Sequence, residues 1–302
     1  MTRFLRWHPP LVLFSLLMAA VTVVSLVGLV VDDRILVGSP IWFKPFKFGV
    51  SLGLYAVALA WMLTFATRFR RVGWWAGAVV ALGGTVEMVI VVGQVLRGRQ
   101  SHFNTATALD ARLFALMGTT ILVVWVMHAV IALVLAFTRF EDRAVGLSIR
   151  LGLALALVGL ALGTLMTGPT GIEGVAGAHT VGLPDGGPYL PITGWSAAGG
   201  DLRVPHFVGI HAIQVLPLAI LLFGRRANTR LAWVLAIGYA GLTALTLWQA
   251  LRGQPPLRPD LLTGLGALAV ATWTGAATTW ALRTRSTAPS RPTAPTGQAV
   301  SA

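Results

Sequence analysis

Three ionisable side chains interrupt long apolar segments of this sequence: Glu87, His128 and His211. An ionisable group at the centre of a membrane helix costs about 2.5 to 3.5 kcal/mol on insertion scales, so each is a candidate functional residue. Gln94 follows Glu87 at i+7 and Gln214 follows His211 at i+3, which places each amide on the same helix face as its partner. Glu87, His211 and Gln214 are therefore the candidate catalytic residues, suited to moving a proton.

The three ionisable residues differ in their predicted depth. Glu87 and His211 lie at comparable depth, close to one end of their segments, whereas His128 is roughly 24 Å along its own segment from that end. His128 is flanked by Val, Met and Ala, which favours a structural role. Structural alternatives also exist for Glu87, as a protonated carboxyl group between helices, and for His211, as a donor to a backbone carbonyl.

Basic residues gather in the segments next to Glu87 and His211. Lys44 and Lys47, at i and i+3, share a helix face, and the N-termini of helices at this end add positive dipoles. Single basic residues often reach for lipid headgroups, but a cluster indicates an anionic ligand or pairing with nearby acids. The cluster consists of Lys44, Lys47, Arg97, Arg99, His102, Arg112, Arg203, His206 and Arg252; the nearby acids are Asp110, Glu173, Asp185 and Asp201.

Four histidines fall on this same side: His102, His179, His206 and His211. Imidazoles can ligate a metal or a haem iron, and haem propionates would suit the basic cluster. The candidate metal ligands are His206 and His211. Five residues correspond to about 140° around a helix, so the two can face one iron only if His206 precedes the helix. The candidate cofactor-binding residues are His102, His206, His211, Lys44, Lys47, Arg97 and Arg203.

The composition identifies the elements that must position these residues. The 302-residue chain is 56% hydrophobic and 11% charged, with a mean hydropathy of +0.77, which predicts an all-α polytopic membrane protein. The absence of cysteine excludes disulfides, iron–sulfur clusters and thiolate metal sites. The net charge of +13 comes from arginines between apolar segments, so it indicates membrane topology and no nucleic-acid partner.

Eight apolar segments are long enough to cross a bilayer as helices. Fourteen basic residues fall on the side of the N-terminus and nine on the other, so the positive-inside rule predicts that both termini are cytoplasmic and that the basic cluster lies outside. The segments are Pro10–Val31, Phe46–Ala66, Gly73–Leu96, Leu113–Phe137, Leu147–Thr167, Phe207–Phe223, Leu231–Leu251 and Leu261–Leu282.

A weak internal repeat divides the chain into two halves, 1–140 and 141–285. "QVLRG" closes the third segment and "QALRG" closes the seventh, while "KPFKFGVS" aligns with "VPHFVGIH". This predicts two four-helix halves in the same orientation. The second half carries a glycine-rich loop, 168–204, which we expect to form an extracytoplasmic cap, and 286–302 is a Pro/Ser/Thr-rich cytoplasmic tail predicted to be disordered.

Four stretches carry a resemblance: "KPFKFGVSLGLYAVALAWML", "EMVIVVGQVLRGRQSHFN", "GAHTVGLPDGG" and "GDLRVPHFVGIHAIQVLPL". They resemble a family of uncharacterised bacterial multipass membrane proteins with the same motifs in the same order, which implies the bacterial cytoplasmic membrane but no activity. The chain is also distantly similar to haem A synthases, eight-helix proteins built of two halves. In those enzymes helices two, four, six and eight carry histidines; here the second segment offers Ser51 and the eighth offers none.

Three functional hypotheses remain open from the sequence. The first is a haem-associated or redox protein in which His211, with His206 or His102, ligates the iron and the basic cluster holds an anionic cofactor. The second is a proton-coupled transporter or receptor for a small anionic or lipid-like ligand, with Glu87 as the titrating group. The third is a cofactor-free enzyme that acts on lipid headgroups, with Glu87 or His211 as general base.

Overall fold

A computed structural model describes residues 6–283 and shows an all-α polytopic membrane protein. Each of the eight helices in this range is long and apolar enough to cross a membrane, which confirms the eight predicted segments. The helices are α1 (Pro9–Val31), α2 (Phe43–Leu63), α3 (Arg70–Leu96), α4 (Ala108–Ala136), α5 (Arg143–Leu162, extended by the 3₁₀ turn Gly163–Met166), α6 (Arg203–Phe223), α7 (Thr229–Leu251) and α8 (Leu261–Arg283). The predicted tail, 286–302, lies outside the described residues.

Successive helices run in opposite directions, so their connections alternate between two ends of the bundle. One end, called the cap end below, holds the connections 32–42, 97–107, 167–202 and 252–260. Four two-residue strands lie there: β1 (Ile35–Leu36), β2 (Ser39–Pro40), β3 (Thr180–Val181) and β4 (Gly200–Asp201). The other end, called the terminal end, holds the short connections 64–69, 137–142 and 224–228.

Polar side chains cap the N-termini of α5 and α7 at the terminal end. Asp142 accepts hydrogen bonds from the backbone N–H groups of Ala144 and Val145 and thereby caps α5. Asn228 caps α7 in the same way through the N–H of Leu231. Such caps satisfy N–H groups that have no partner inside their own helix, so each connection can be short.

Helices pack closely where a glycine lies against the neighbouring helix. A Cβ atom on Gly209 of α6 would lie 2.5 Å from the Cα of Gly159 on α5, and one on Gly49 of α2 would lie 2.5 Å from the Oγ1 of Thr22 on α1. Lipid provides no hydrophobic force between helices, so membrane helices rely on such close backbone packing. These contacts fix α1 against α2 and α5 against α6.

The two predicted halves share these contacts and others. In each half the first helix packs on the second and third, and the third packs on the second and fourth. Arg97 pairs with Asp110 at 2.9 Å after α3, and Arg252 pairs with Asp260 at 2.8 Å after α7, as the aligned "QxLRG" segments would require. These common features support the repeat, which stays a prediction.

Five helices, α2 to α6, begin three to five residues before their apolar segments. α2 begins at Phe43 and α6 at Arg203, three and four residues before the predicted Phe46 and Phe207. The first turn of α6 is stabilised by Asp201, whose Oδ1 accepts a hydrogen bond from the N–H of Arg203. Hydropathy detects only the part of a helix that crosses the lipid, so it does not detect a polar first turn at the membrane boundary.

Candidate functional site

The glycine-rich connection between α5 and α6 folds over the cap end. Its strands β3 and β4 pair antiparallel, with Thr180 opposite Asp201, and it also pairs with the connection between α3 and α4 through Asn104 and Val175. The N–H of Ala176 donates to the carbonyl of Phe103 at 2.9 Å. The segment 167–202, called the cap below, therefore joins the two halves of the chain over one common space.

Two buried or half-buried aspartates hold the cap in shape. Asp185 accepts hydrogen bonds from the backbone N–H of His179 and Thr180 and from the His179 Nδ1 at 2.6 Å. Burial alone would raise the pKa of Asp185, but these donors together with the charge of His179 hold it well below its usual range. Asp201 accepts from the N–H of Ser196 at 2.6 Å and from Arg203 at 2.6 and 2.9 Å.

Below the cap lies a cavity of about 1100 Å³. Its lining includes four cationic side chains, Lys44, Lys47, Arg99 and Arg203, but Asp185 is the only carboxylate among the lining residues that the structure describes. The rest of the wall is largely apolar and aromatic, with Phe43, Phe48, Val91, Val95, Phe103 and Phe207 among its members. The cavity is therefore both cationic and apolar.

Three of the four cations already have partners in the protein. Lys47 donates to the carbonyl of Thr193 at 2.8 Å, and Arg203 binds Asp201 and the carbonyl of Gly194 at 2.7 Å. Arg99 lies 3.4 Å from an oxygen of Asp110. Only Lys44 has no hydrogen bond or ion pair within residues 6–283; its Nζ lies 5.7 Å from the centre of the Phe48 ring.

Two histidines, His102 and His179, also line the cavity. Burial lowers the pKa of both below 6.5, and the charge of Lys44 lowers that of His102 further. His102 packs edge-on against Phe48 with 5.6 Å between ring centres, and His179 packs against Phe103 at 5.0 Å. Phe103 itself has a φ of 60°, a left-handed conformation that is costly for a bulky residue and that concentrates at functional sites.

His206 and His211, the predicted metal ligands, do not line the cavity. Both lie in α6, so the condition under which they could face one iron is not met. His206 donates from Nδ1 to the carbonyl of Gly159 at 2.7 Å, which fixes its ring between α5 and α6. Within residues 6–283 no three His, Asp or Glu side chains are arranged to hold a metal ion. The haem hypothesis stays a prediction, to which these two histidines lend no geometric support.

The predicted pair of His211 and Gln214 is adjacent, with 3.4 Å between the Nδ1 of His211 and the Oε1 of Gln214. The Nε2 of Gln214 is buried and has no hydrogen-bond partner among the described residues. No hydrogen bond or ion pair in that part of the chain joins this pair to Glu87. The predicted catalytic residues are therefore not joined into one hydrogen-bonded group among the described residues.

Glu87 is a buried carboxyl group inside the bundle. It is 1% exposed, and neither carboxyl oxygen has a hydrogen-bond partner among residues 6–283. Val91, one helical turn above it on the same face of α3, lines the cavity. Lys44 is close enough to interact electrostatically with Glu87, but the two form no ion pair. Glu87 thus lies directly below the cationic cavity.

Two other predicted residues serve the fold at this end. Gln94 donates to an Asp110 oxygen at 2.9 Å and to the carbonyl of Gln100, and so does not extend a polar stripe from Glu87. Arg97, a predicted cofactor ligand, pairs with the same Asp110 and is not part of the cavity lining. The buried Asp110 carboxylate accepts hydrogen bonds from both side chains and so links the end of α3 to the start of α4.

His128 has the structural role that the sequence favoured. It is fully buried, its Nε2 donates to the carbonyl of Leu153 at 3.1 Å, and its Nδ1 accepts from the hydroxyl of Tyr55 at 2.6 Å. The ring therefore links α2, α4 and α5. Sequence reasoning did not identify Tyr55 as its partner, nor Asp185 as the partner of His179, because both pairs form between distant parts of the chain or inside the cap.

Comparison with known proteins adds no further information on the site: no family model, curated protein or solved structure matches this chain.

Proposed function

We propose that this membrane protein binds an amphiphilic anion in the cavity under the cap, as a receptor or transporter for a lipid-like ligand. The observation that carries the proposal is Lys44, a cation that lines the cavity and has no partner in the described chain. Lys44 is half-buried. A cation partly withdrawn from water without a partner is costly, and an anionic headgroup would supply the missing one.

The surrounding charges favour an anion over a cation. Lys47 and Arg203 add positive potential on the same wall, and the single lining carboxylate, Asp185, is already held by His179 and two backbone donors. The Coulomb interaction of a cation in this cavity with Lys44 would be repulsive. An anion would instead be attracted to several positive charges.

The apolar walls favour an amphiphile over a small inorganic anion. Phe48, Val91, Val95 and Phe207 present hydrocarbon surface to a cavity of about 1100 Å³, which is larger than a phosphate or a sulfate requires. Ligand sites commonly combine an apolar lining with a few polar groups that fix orientation. Here the cations would hold the headgroup and the valines and aromatic rings the chain.

The topology is part of the proposal. The described ion pairs, those of Arg34, Arg97, Arg99, His179, Arg203 and Arg252, all lie at the cap end. The arginines of the terminal end have no acidic partner among residues 6–283, so their charge is available to retain that end in the cytoplasm. We infer a bacterial cytoplasmic membrane, with the cap outside and both termini inside.

Calorimetric titration of the detergent-purified protein with octanesulfonate tests the proposal. This probe carries a headgroup whose negative charge does not change with pH and a short apolar chain. We expect binding of octanesulfonate, much weaker binding of methanesulfonate, which lacks the chain, and no binding of octyltrimethylammonium. Equal binding of the cationic and anionic amphiphiles would show that the detergent-like chain alone is recognised and would overturn the proposal.

Variants locate the binding site. Lys44→Met keeps the length of the side chain and removes its charge, which should weaken binding about ten- to a hundredfold, the value of one charge-assisted contact. Arg225→Gln, at the exposed terminal end, is the matched control and should bind as the wild type does. Unchanged binding by Lys44→Met would show that the anion does not bind beside Lys44 in the cavity. A Soret band after expression with haem precursor would instead favour the haem hypothesis.

A further inference from the structure

Two ionisable groups of opposite type, Lys44 and Glu87, lie at the boundary of the cavity without a hydrogen bond or an ion pair among the described residues. The ammonium group of Lys44 lines the cavity, and Glu87 lies one helical turn below the lining residue Val91. Neither group forms a hydrogen bond or an ion pair within the described chain, yet each interacts electrostatically with the other. Wherever both groups are ionised, each is the largest favourable charge that acts on the other.

An anion bound at Lys44 changes this balance. Its negative charge takes over the interaction with the ammonium group and at the same time repels a carboxylate below it. A buried carboxylate with no hydrogen bond has no other compensation for the lost interaction, so its neutral form becomes favoured. The two negative charges, ligand and carboxylate, thus compete for one cation.

We propose that anion binding in the cavity is coupled to proton uptake by Glu87. The inference rests on the proposed function and identifies how that site is coupled. One proton passes from solution to the Glu87 carboxylate for each monoanion that enters, so the net charge of the buried site does not change and no covalent bond to the ligand forms. A site of this kind binds a proton and an anion together, as the binding step of proton-coupled anion transport requires.

The other titratable groups around Glu87 do not provide this coupling. α1 contains none, and on α2 Lys47 donates to Thr193 and Tyr55 to His128. On α4, His128 is held between Tyr55 and Leu153, and Asp110 is paired with Arg97; Arg112 is the remaining charged group of that helix. Among charged groups, Lys44 alone acts appreciably on Glu87.

The test is the pH dependence of octanesulfonate affinity. Binding that takes up one proton weakens about tenfold for each unit of rising pH wherever the empty protein carries the carboxylate. Titrations from about pH 5 to about pH 9 should show this slope in the wild type at the alkaline end, where the empty protein carries the carboxylate, and little slope at the acid end, where the carboxyl group is already protonated. An indicator dye in weakly buffered detergent should report proton uptake when the ligand is added.

Glu87→Gln should bind octanesulfonate at least as tightly as the wild type at high pH. Its affinity should not fall with rising pH, and ligand addition should cause no proton uptake. Glu141→Gln, an exposed carboxylate at the terminal end, is the matched control and should keep both the slope and the proton uptake. A slope that persists in Glu87→Gln would assign the coupling to another group, such as Lys44 itself, His102 or His179, and would overturn the inference while leaving the binding proposal intact. Absence of binding by the wild type would overturn the proposed function itself.

A measurement without any variant covers the case in which Glu87→Gln fails to fold. The infrared difference spectrum of the wild-type protein at about pH 9, with ligand minus without, should gain a protonated carboxyl band and lose carboxylate absorption. Ligand binding without this exchange of bands would overturn the inference.

Discussion

Replacing Gly209 with alanine should destabilise the protein, whereas the same change at Gly118 should not. Both glycines lie inside membrane helices, α6 and α4. A Cβ on Gly209 would lie 2.5 Å from the Cα of Gly159, while a Cβ on Gly118 would have no atom within 4 Å. The two substitutions therefore make the same chemical change, one where the neighbouring helix leaves no space for a Cβ and one where the space is open.

The magnitude follows from the distance between the two backbones. Carbon atoms in contact lie about 3.5 to 4.0 Å apart, so α5 and α6 would have to separate by about 1 Å or more at Gly209. Overpacking costs about 1 to 3 kcal/mol, and we expect the upper part of that range because the obstacle is backbone that no rotamer change can move. At Gly118 alanine removes the helix penalty of glycine, a gain of up to about 1 kcal/mol.

Titration with sodium dodecyl sulfate in mixed micelles, followed by tryptophan fluorescence, would measure both changes in the free energy of unfolding. The reciprocal variant Gly159→Ala meets the same contact from the other helix. Because both variants open one interface, the double variant should cost less than the sum of the two single ones. Equal stability of Gly209→Ala and Gly118→Ala would refute the close packing of α5 and α6.

Two further predictions concern buried hydrogen bonds and pH. Tyr55→Phe should cost about 1 kcal/mol of unfolding free energy, the usual scale of an interhelical hydrogen bond in a membrane, and a double-mutant cycle with His128→Leu should recover it as coupling energy. The free energy of unfolding should also fall as the pH drops below about 6.5, because the unfolded chain then binds more protons than three histidines whose pKa burial holds low; a thermal melting series over pH checks this for His8, His102 and His179. Melting temperatures independent of pH in that range would contradict it.

Hydropathy was sufficient to predict the membrane fold. Eight uninterrupted apolar segments have no alternative to helices in lipid, and the predicted bounds of α7 and α8 lie within two residues of those observed. The larger errors were in helix starts at both ends of the bundle, those of α2, α4 and α6 at the cap end and those of α3 and α5 at the terminal end. The misplaced start of α6 mattered, because it left open whether His206 precedes the helix.

The candidate site was only partly predictable. Lys44, Lys47 and Arg203 were identified from their charge, and all three line the cavity. Arg97 belonged to the same basic cluster but is bound to Asp110, and sequence alone does not show which cation a buried acid will take. The cavity depends on the cap, whose shape is set by pairings such as Asp185 with His179 that no short-range pattern encodes.

The repeat helps to explain why chemistry is distributed unequally along the chain. The alignment places Ser51 opposite His211 and Lys44 opposite Val204. Lys44 lies at the cavity and His211 outside its lining. If the halves are related, the first half has kept or gained the charged site, and the polar pair of His211 and Gln214 belongs to a separate position in the second.

The location of a bound amphiphile is the most direct test of the account. A crystal structure with 8-bromooctane-1-sulfonate would show the headgroup as density and the bromine by anomalous scattering. We predict the sulfonate beside Lys44 and the bromine among the apolar side chains of the cavity, near Phe48, Val91 or Phe207. An occupied site between lipid-facing helices with an empty cavity would contradict the central claim.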